Sequence, residues 1–128
     1  MPLHMIKLCV GCDTVEDLVE WRKTWRPGES WTLHTRQTPK RAAEMLDGGS
    51  VYRVLNGGIL CRPPVLGIRT VGEGPNARCE VDLAEEIVRV APTPRRAFQG
   101  WRYLTAADAP PDLETDAFAD APPELARQ

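Results

Sequence analysis

The stretch from Arg89 to Leu104 reads Arg-Val-Ala-Pro-Thr-Pro-Arg-Arg-Ala-Phe-Gln-Gly-Trp-Arg-Tyr-Leu. It carries Arg89, Arg95, Arg96 and Arg102 and no acid, interleaved with Phe98, Trp101 and Tyr103. Guanidinium groups pair bidentately with phosphate, and flat rings stack on unpaired bases at ~1–3 kcal/mol each. Recognition of a single strand or a modified base needs that combination. The plainer alternative is that Phe98, Trp101 and Leu104 close a core while the arginines are simply solvated. Arg53, Arg62 and Arg69, with Tyr52, extend the same surface if they face one side. The candidate ligand-binding residues are therefore Arg95, Arg96, Phe98, Trp101, Arg102, Tyr52 and Arg53.

Cys9-Val10-Gly11-Cys12 is a CxxC, whose chemistry is thiol–disulfide exchange or half of a zinc site. Cys12 stands directly before a helix start, where a thiol gains from the helix dipole, but Asp13 beside it opposes thiolate formation. A zinc site needs two more ligands, for which Cys61, Cys79, His4 and His34 are candidates. Cys61 and Cys79 are isolated singles, so spacing does not select them. Unpaired cysteines are most often small buried apolar residues. The two histidines form no catalytic constellation: His34 shares a strand face with Thr32 and Arg36, which suits solvent or a ligand groove, and His4 faces solvent or a neighbouring strand. Ser30 and Ser50 are the only serines, and no nucleophile elbow, Walker loop or Gly-x-Gly-x-x-Gly fingerprint is present. No catalytic residue, metal site or cofactor is expected; the alternative metal or redox reading centres on Cys9 and Cys12.

The elements that must position these residues follow from the patterning. Leu3 to Val10 reads as an opening strand. Asp13 caps a helix with Glu16 three residues on, its apolar face being Val15, Leu18, Val19 and Trp25 and its end falling before Pro27-Gly28. Trp31 to Arg36 alternates as a half-buried strand. Thr38 caps a second helix with Pro39 in its first turn and Ala42, Ala43 and Leu46 (Met45 beside them) on its apolar face, stopped by Gly48-Gly49. Val51–Leu55 and Ile59–Cys61 flank Asn56-Gly57-Gly58, a strong hairpin signal. Val65–Val71, Ala77–Leu83 and Glu86–Val90 are further strands, and Thr105 to Asp108 caps one terminal helical turn. Helices early and consecutive strands late predict an α+β fold, a small curled, mostly antiparallel sheet flanked by two helices.

The 128 residues, 42% hydrophobic and 27% charged, suit one domain. No run approaches the ~18 apolar residues that span a bilayer. Met1 to Val10 lacks the basic flank and cleavage site of an export signal, which predicts a cytoplasmic protein. The formal charge of −2 hides an asymmetry. Residues 105–128 carry six acids against Arg127 alone, a net −5, which leaves +3 on residues 1–104. Residues 1–111 are read as the domain and 112–128 as an acidic, Pro/Ala-rich mobile tail, with docking of Phe118 and Leu125 on the body as the alternative.

Three stretches carry a family resemblance: Leu3 to Gly11; Thr38-Pro39-Lys40-Arg41 with Leu46 to Tyr52; and Pro94 to Leu104. On these the chain resembles a bacterial domain-of-unknown-function family, number fourteen eighty-nine in words. Its members typically carry tryptophan after that tyrosine, where this chain has Arg53. The element order is similar to that of PUA-like domains, the EVE, ASCH and YTH group, which implies a small barrel that binds RNA or holds a flipped modified base. The resulting expectation is a non-catalytic RNA- or modified-nucleotide-binding module with no membrane partner. Arg95, Arg96 and Arg102 would contact phosphate, and Trp101, Phe98 or Tyr52 would stack. The alternatives are the zinc or thiol protein, and a small-molecule enzyme or protein-interaction adaptor.

Overall fold

A computed structural model of the chain describes residues 2–24 and 31–113. Trp25, the helix end expected before Pro27-Gly28, and the tail beyond Leu113 with Phe118 and Leu125 lie outside the described residues. The elements in chain order are β1 (Leu3–Leu8), α1 (Val15–Arg22), β2 (Trp31–Thr35), α2 (Ala42–Leu46), β3 (Val51–Leu55), β4 (Gly58–Arg62), β5 (Val65–Val71), a single 3-10 turn (Gly74–Asn76), β6 (Arg78–Leu83), β7 (Val88–Pro94) and β8 (Trp101–Thr105). The strands make two sheets, one ordered β7-β4-β3-β1-β8 and the other β2-β6-β5. β1 and β3 run parallel, Met5 beside Val51 and Lys7 beside Arg53, and the other pairs are antiparallel. The fold is α+β and mostly antiparallel, as the element order predicts. The barrel implied by the PUA-like resemblance is not closed among the described residues: the strands lie in two separate sheets.

The larger sheet is buried on both faces, which is why β3 reads as Val-Tyr-Arg-Val-Leu with no exposed position. On one face Leu3, Met5, Val51 and Leu55 meet Trp31, Cys79, Val81 and Leu83 of the smaller sheet, with Leu18 and Met45 from the helices. On the other face Ile6, Tyr52, Val54, Ile59, Val90 and Leu104 form a second cluster, covered in part by Phe98 from the β7–β8 connection. Side chains alternate across a strand, so β1, β3 and β8 each serve both clusters.

The hairpin turn is of the expected kind, with Asn56 and Gly57 both in the left-handed region (φ 47° and 85°). The first helix begins one residue later than the Asp13–Glu16 spacing suggests. Thr14 is the cap: its hydroxyl accepts from the Asp17 backbone N–H at 3.1 Å, and the Asp17 carboxylate accepts from the Thr14 N–H. This register turns Val15 and Leu18 inward. The second helix is a single short turn with no side-chain cap, and it buries Met45 rather than Leu46, which is 45% exposed. Thr38, expected to cap it, pairs instead with the Thr70 hydroxyl at 2.6 Å. Gly49 follows at a point where a Cβ would lie 2.4 Å from the carbonyl oxygens of both Leu3 and Met45, so only glycine lets the chain turn there against β1.

The C-terminal end of the described chain is attached. Ala91 N–H donates to the Pro111 carbonyl, Leu113 N–H donates to that of Arg89, and Val90 bridges Asp112. Asp112 takes a two-pronged ion pair from Arg62, both contacts at 2.6 Å. Residues 111–113 thereby cover the outer edge of β7, an edge that would otherwise present unpaired backbone groups.

Candidate functional site

The segment after β2 crosses from the small sheet to the edge of the large one, and a groove of about 500 Å³ opens there. Lys7, His34, Arg36, Gln37, Arg78, Gln99 and Trp101 line it. Strand register brings these residues together: Lys7 lies beside Trp101 across β1 and β8, while Thr35 beside Cys79 sets Arg36 and Arg78 at neighbouring strand ends. The Trp101 indole N–H donates to the Gln37 carbonyl at 2.8 Å, and the Tyr103 hydroxyl accepts from the Arg41 N–H at 3.1 Å. Together these straps fix the crossing segment to β8. Trp101 and Tyr103 stand edge to face at 4.9 Å, and the Arg41 guanidinium lies 5.8 Å from the Tyr103 ring centre.

The groove is electrostatically one-sided. Lys7, Arg36 and Arg78 are cations, and no Asp or Glu is among the described residues that line it. Burial lowers the Lys7 pKa from its ordinary value, and the neighbouring Arg53 charge lowers it further. His34 is held by Glu80, Nε2 to Oε2 at 3.2 Å. A concave, positive surface of this kind concentrates anions, phosphates above all.

Of the residues expected to bind, Trp101 is in this groove, half-buried against the inter-sheet core. Phe98 lies on the opposite face of the large sheet, where the guanidinium groups of Arg102 and Arg95 flank it at 4.7 and 5.3 Å from its ring centre. Arg96 is exposed in the same connection. The structure thus brings Arg95, Phe98 and Arg102 together and separates them from Trp101. Tyr52 is buried, its ring meeting that of His4 edge-on at 4.9 Å, and burial raises its pKa. His4 is buried too, and of the two expected placements it takes the one against a neighbouring strand: it meets Tyr52 of β3 and its Nδ1 accepts the Ser50 N–H.

Arg53, Arg62 and Arg69 do not share one side. Arg62 holds Asp112 and the Ser50 hydroxyl, and Arg69 is paired with Glu80 and Asp82. Arg53 points into the protein between the sheets, 5% exposed, because its place in β3 puts it on the same face as Val51 and Leu55. Its Nη2 donates to the Leu8 carbonyl at 3.2 Å.

The four cysteines carry free thiols, with Cys9, Cys61 and Cys79 buried. Burial pushes the Cys9 thiol up to about 11 and the Cys61 thiol to about 12, against the pull of the Arg53 charge. Such thiols are poor nucleophiles at neutral pH. No group of three or more His, Cys, Asp or Glu among the described residues is placed to hold a metal ion, and no helix among them is long and apolar enough to cross a membrane.

Lys7 and Arg78 are groove residues that sequence reasoning does not reach; the shared face of His34 and Arg36 is the available signal. A model of the family described as "Protein of unknown function (DUF1489)" matches residues 5–128. No curated protein and no solved structure matches the chain.

Proposed function

We propose that this chain, which belongs to the DUF1489 family of proteins of unknown function, binds single-stranded RNA or a modified nucleotide without transforming it. The observation that carries this reading is the groove itself: Lys7, Arg36 and Arg78 around Trp101, with no acid among the described lining residues. In this reading the three cations contact phosphates and Trp101 supplies a ring against which a base packs. Tyr103 extends the surface along β8, while the Arg41 guanidinium beside it is held by Glu44. The PUA-like resemblance points the same way, since those domains use a curled sheet for such ligands, although fold analogy alone assigns no function. Arg95, Phe98 and Arg102 lie on the other face of the sheet, with Arg96 exposed in the same connection, and have no part in this groove.

Fluorescence anisotropy of a labelled eight-nucleotide RNA of mixed sequence, followed through a salt series, tests the proposal. Three phosphate contacts give a log–log salt slope of about −2 for a single strand. Arg36→Gln/Arg78→Gln reduces the slope to about −0.7 and weakens binding, whereas Arg95→Ala/Arg96→Ala changes both less. Parent-like binding by the Arg36→Gln/Arg78→Gln protein overturns the assignment of the groove.

A further inference from the structure

A second cavity, of about 210 Å³, lies between the end of β1, α1 and β2, lined by Cys9, Cys12, Leu18, Trp21, Trp31 and Leu33 among others, with Arg53 in its wall. We propose that this cavity is a binding site for a small oxyanion with a flat apolar body, held by the Arg53 guanidinium.

The argument starts from the cost of Arg53. A guanidinium keeps its proton at any ordinary pH and brings five donors. Here it is buried, and its Nε has no hydrogen-bond partner among the described residues. Buried charges are otherwise paired with a carboxylate or bound to several acceptors, because an uncompensated one is strongly destabilising. No carboxylate among the described residues plays that part. The groups that bear on Arg53 electrostatically are the thiols of Cys9, Cys61 and Cys12. The first two thiols are pushed up to about 11 and about 12, so they are neutral at physiological pH and offset no charge. Lys7, beside Arg53 in the strand register, adds a like charge. The site therefore has a cation, an unused donor and a free volume in one place, and what completes it is an anion.

The walls define the rest of the ligand. The Trp21 and Trp31 rings meet at 5.4 Å on one side, and Leu18, Leu33 and Leu83 supply apolar surface. A space of about 210 Å³ has room for one aromatic ring carrying one acid group. Arg53 stands in the cavity wall, and a carboxylate or a phosphate monoester takes two guanidinium protons side by side. The thiols contribute a soft, uncharged rim.

The test uses the full chain with three probes of one shape: benzoate, phenyl phosphate and uncharged benzyl alcohol. Benzoate or phenyl phosphate at millimolar concentration raises Tm and gives saturable heat of binding, and benzyl alcohol does neither. A response to benzoate alone identifies a carboxylate site, and a response to phenyl phosphate alone a phosphate-ester site. Arg53→Met, which keeps the side-chain length and removes the charge, abolishes the response. In the parent protein the Arg53 Nε–H resonance shifts on titration with the active probe, a readout that needs no variant to fold. No response to either anion, an equal response to benzyl alcohol, or an unmoved Arg53 Nε–H overturns the proposal. The site is independent of the RNA reading: Arg36→Gln/Arg78→Gln retains the anion response even where it loses the oligonucleotide.

Discussion

Replacing Asp112 by asparagine removes one charge at the point where the last described residues join the body. The Arg62 Nε and Nη2 protons lie opposite the two carboxylate oxygens, at 2.6 Å each, while the Arg62 Nη1 holds the Ser50 hydroxyl at 2.8 Å. The Arg62 side chain is 22% exposed and that of Asp112 44%. Hydrogen bonds to charged groups contribute about 1.5–3 kcal/mol when protected, and exposed pairs about 0.2–1 kcal/mol. The two-pronged geometry and intermediate exposure set the loss at about 1–2 kcal/mol, a fall in Tm of roughly 4–10 °C for a domain of this size. The hydrogen bonds from Arg62 hold the Asp112 carboxyl below the usual carboxylate range. Because the native value is the lower one, the contribution is complete above the unfolded-state value near 4 and disappears as the pH falls through the native value. Thermal and urea denaturation of parent and Asp112→Asn at pH 7, repeated near pH 3, measures both effects. The gap is full at pH 7 and narrows in acid; equal stability at pH 7, or a gap that widens in acid, refutes the reasoning.

Three further perturbations have definite outcomes. Gly49→Ala drives a Cβ to 2.4 Å from two backbone carbonyl oxygens and lowers stability by about 3 kcal/mol, read from a shift in urea midpoint. Thr14→Ala removes the hydroxyl that caps α1 and costs about 1 kcal/mol by the same measurement, whereas Thr14→Ser is close to neutral. Iodoacetamide labels Cys9 slowly at pH 7, with a rate that climbs toward pH 11, because the thiol is pushed up to about 11; peptide mass spectrometry follows it, and labelling at the rate of a free cysteine contradicts the burial argument.

Local signals in the sequence were legible where chain neighbours decide the structure. Asn56-Gly57 places the hairpin, β5 runs over Val65–Val71 as its patterning predicts, and Thr105 accepts the Asp108 N–H in the expected terminal turn. Long-range register was not legible. The parallel pairing of β1 with β3 brings Lys7 beside Arg53, and the pairing of β2 with β6 brings Arg36 toward Arg78, yet nothing within any one segment states those partners. The Arg89–Leu104 stretch illustrates the same limit. Its composition points to a single basic and aromatic surface, but alternation along β8 sends Trp101 to one face of the sheet and Arg102 to the other. Arg53 departs from its expected surface position for a related reason: its charge argues for the surface, while its spacing from Val51 and Leu55 argues for the core, and in a strand covered on both faces the spacing wins.

Amide and indole chemical shifts report most directly whether RNA occupies the groove beside Trp101, as proposed. In a titration of the labelled protein with the eight-nucleotide RNA, the Trp101 indole N–H, the Gln37 and Gly100 amides and the Arg36 and Arg78 signals move together and saturate. Shifts confined to the Arg95–Phe98–Arg102 face, or a spectrum unchanged at saturating RNA, contradict the account.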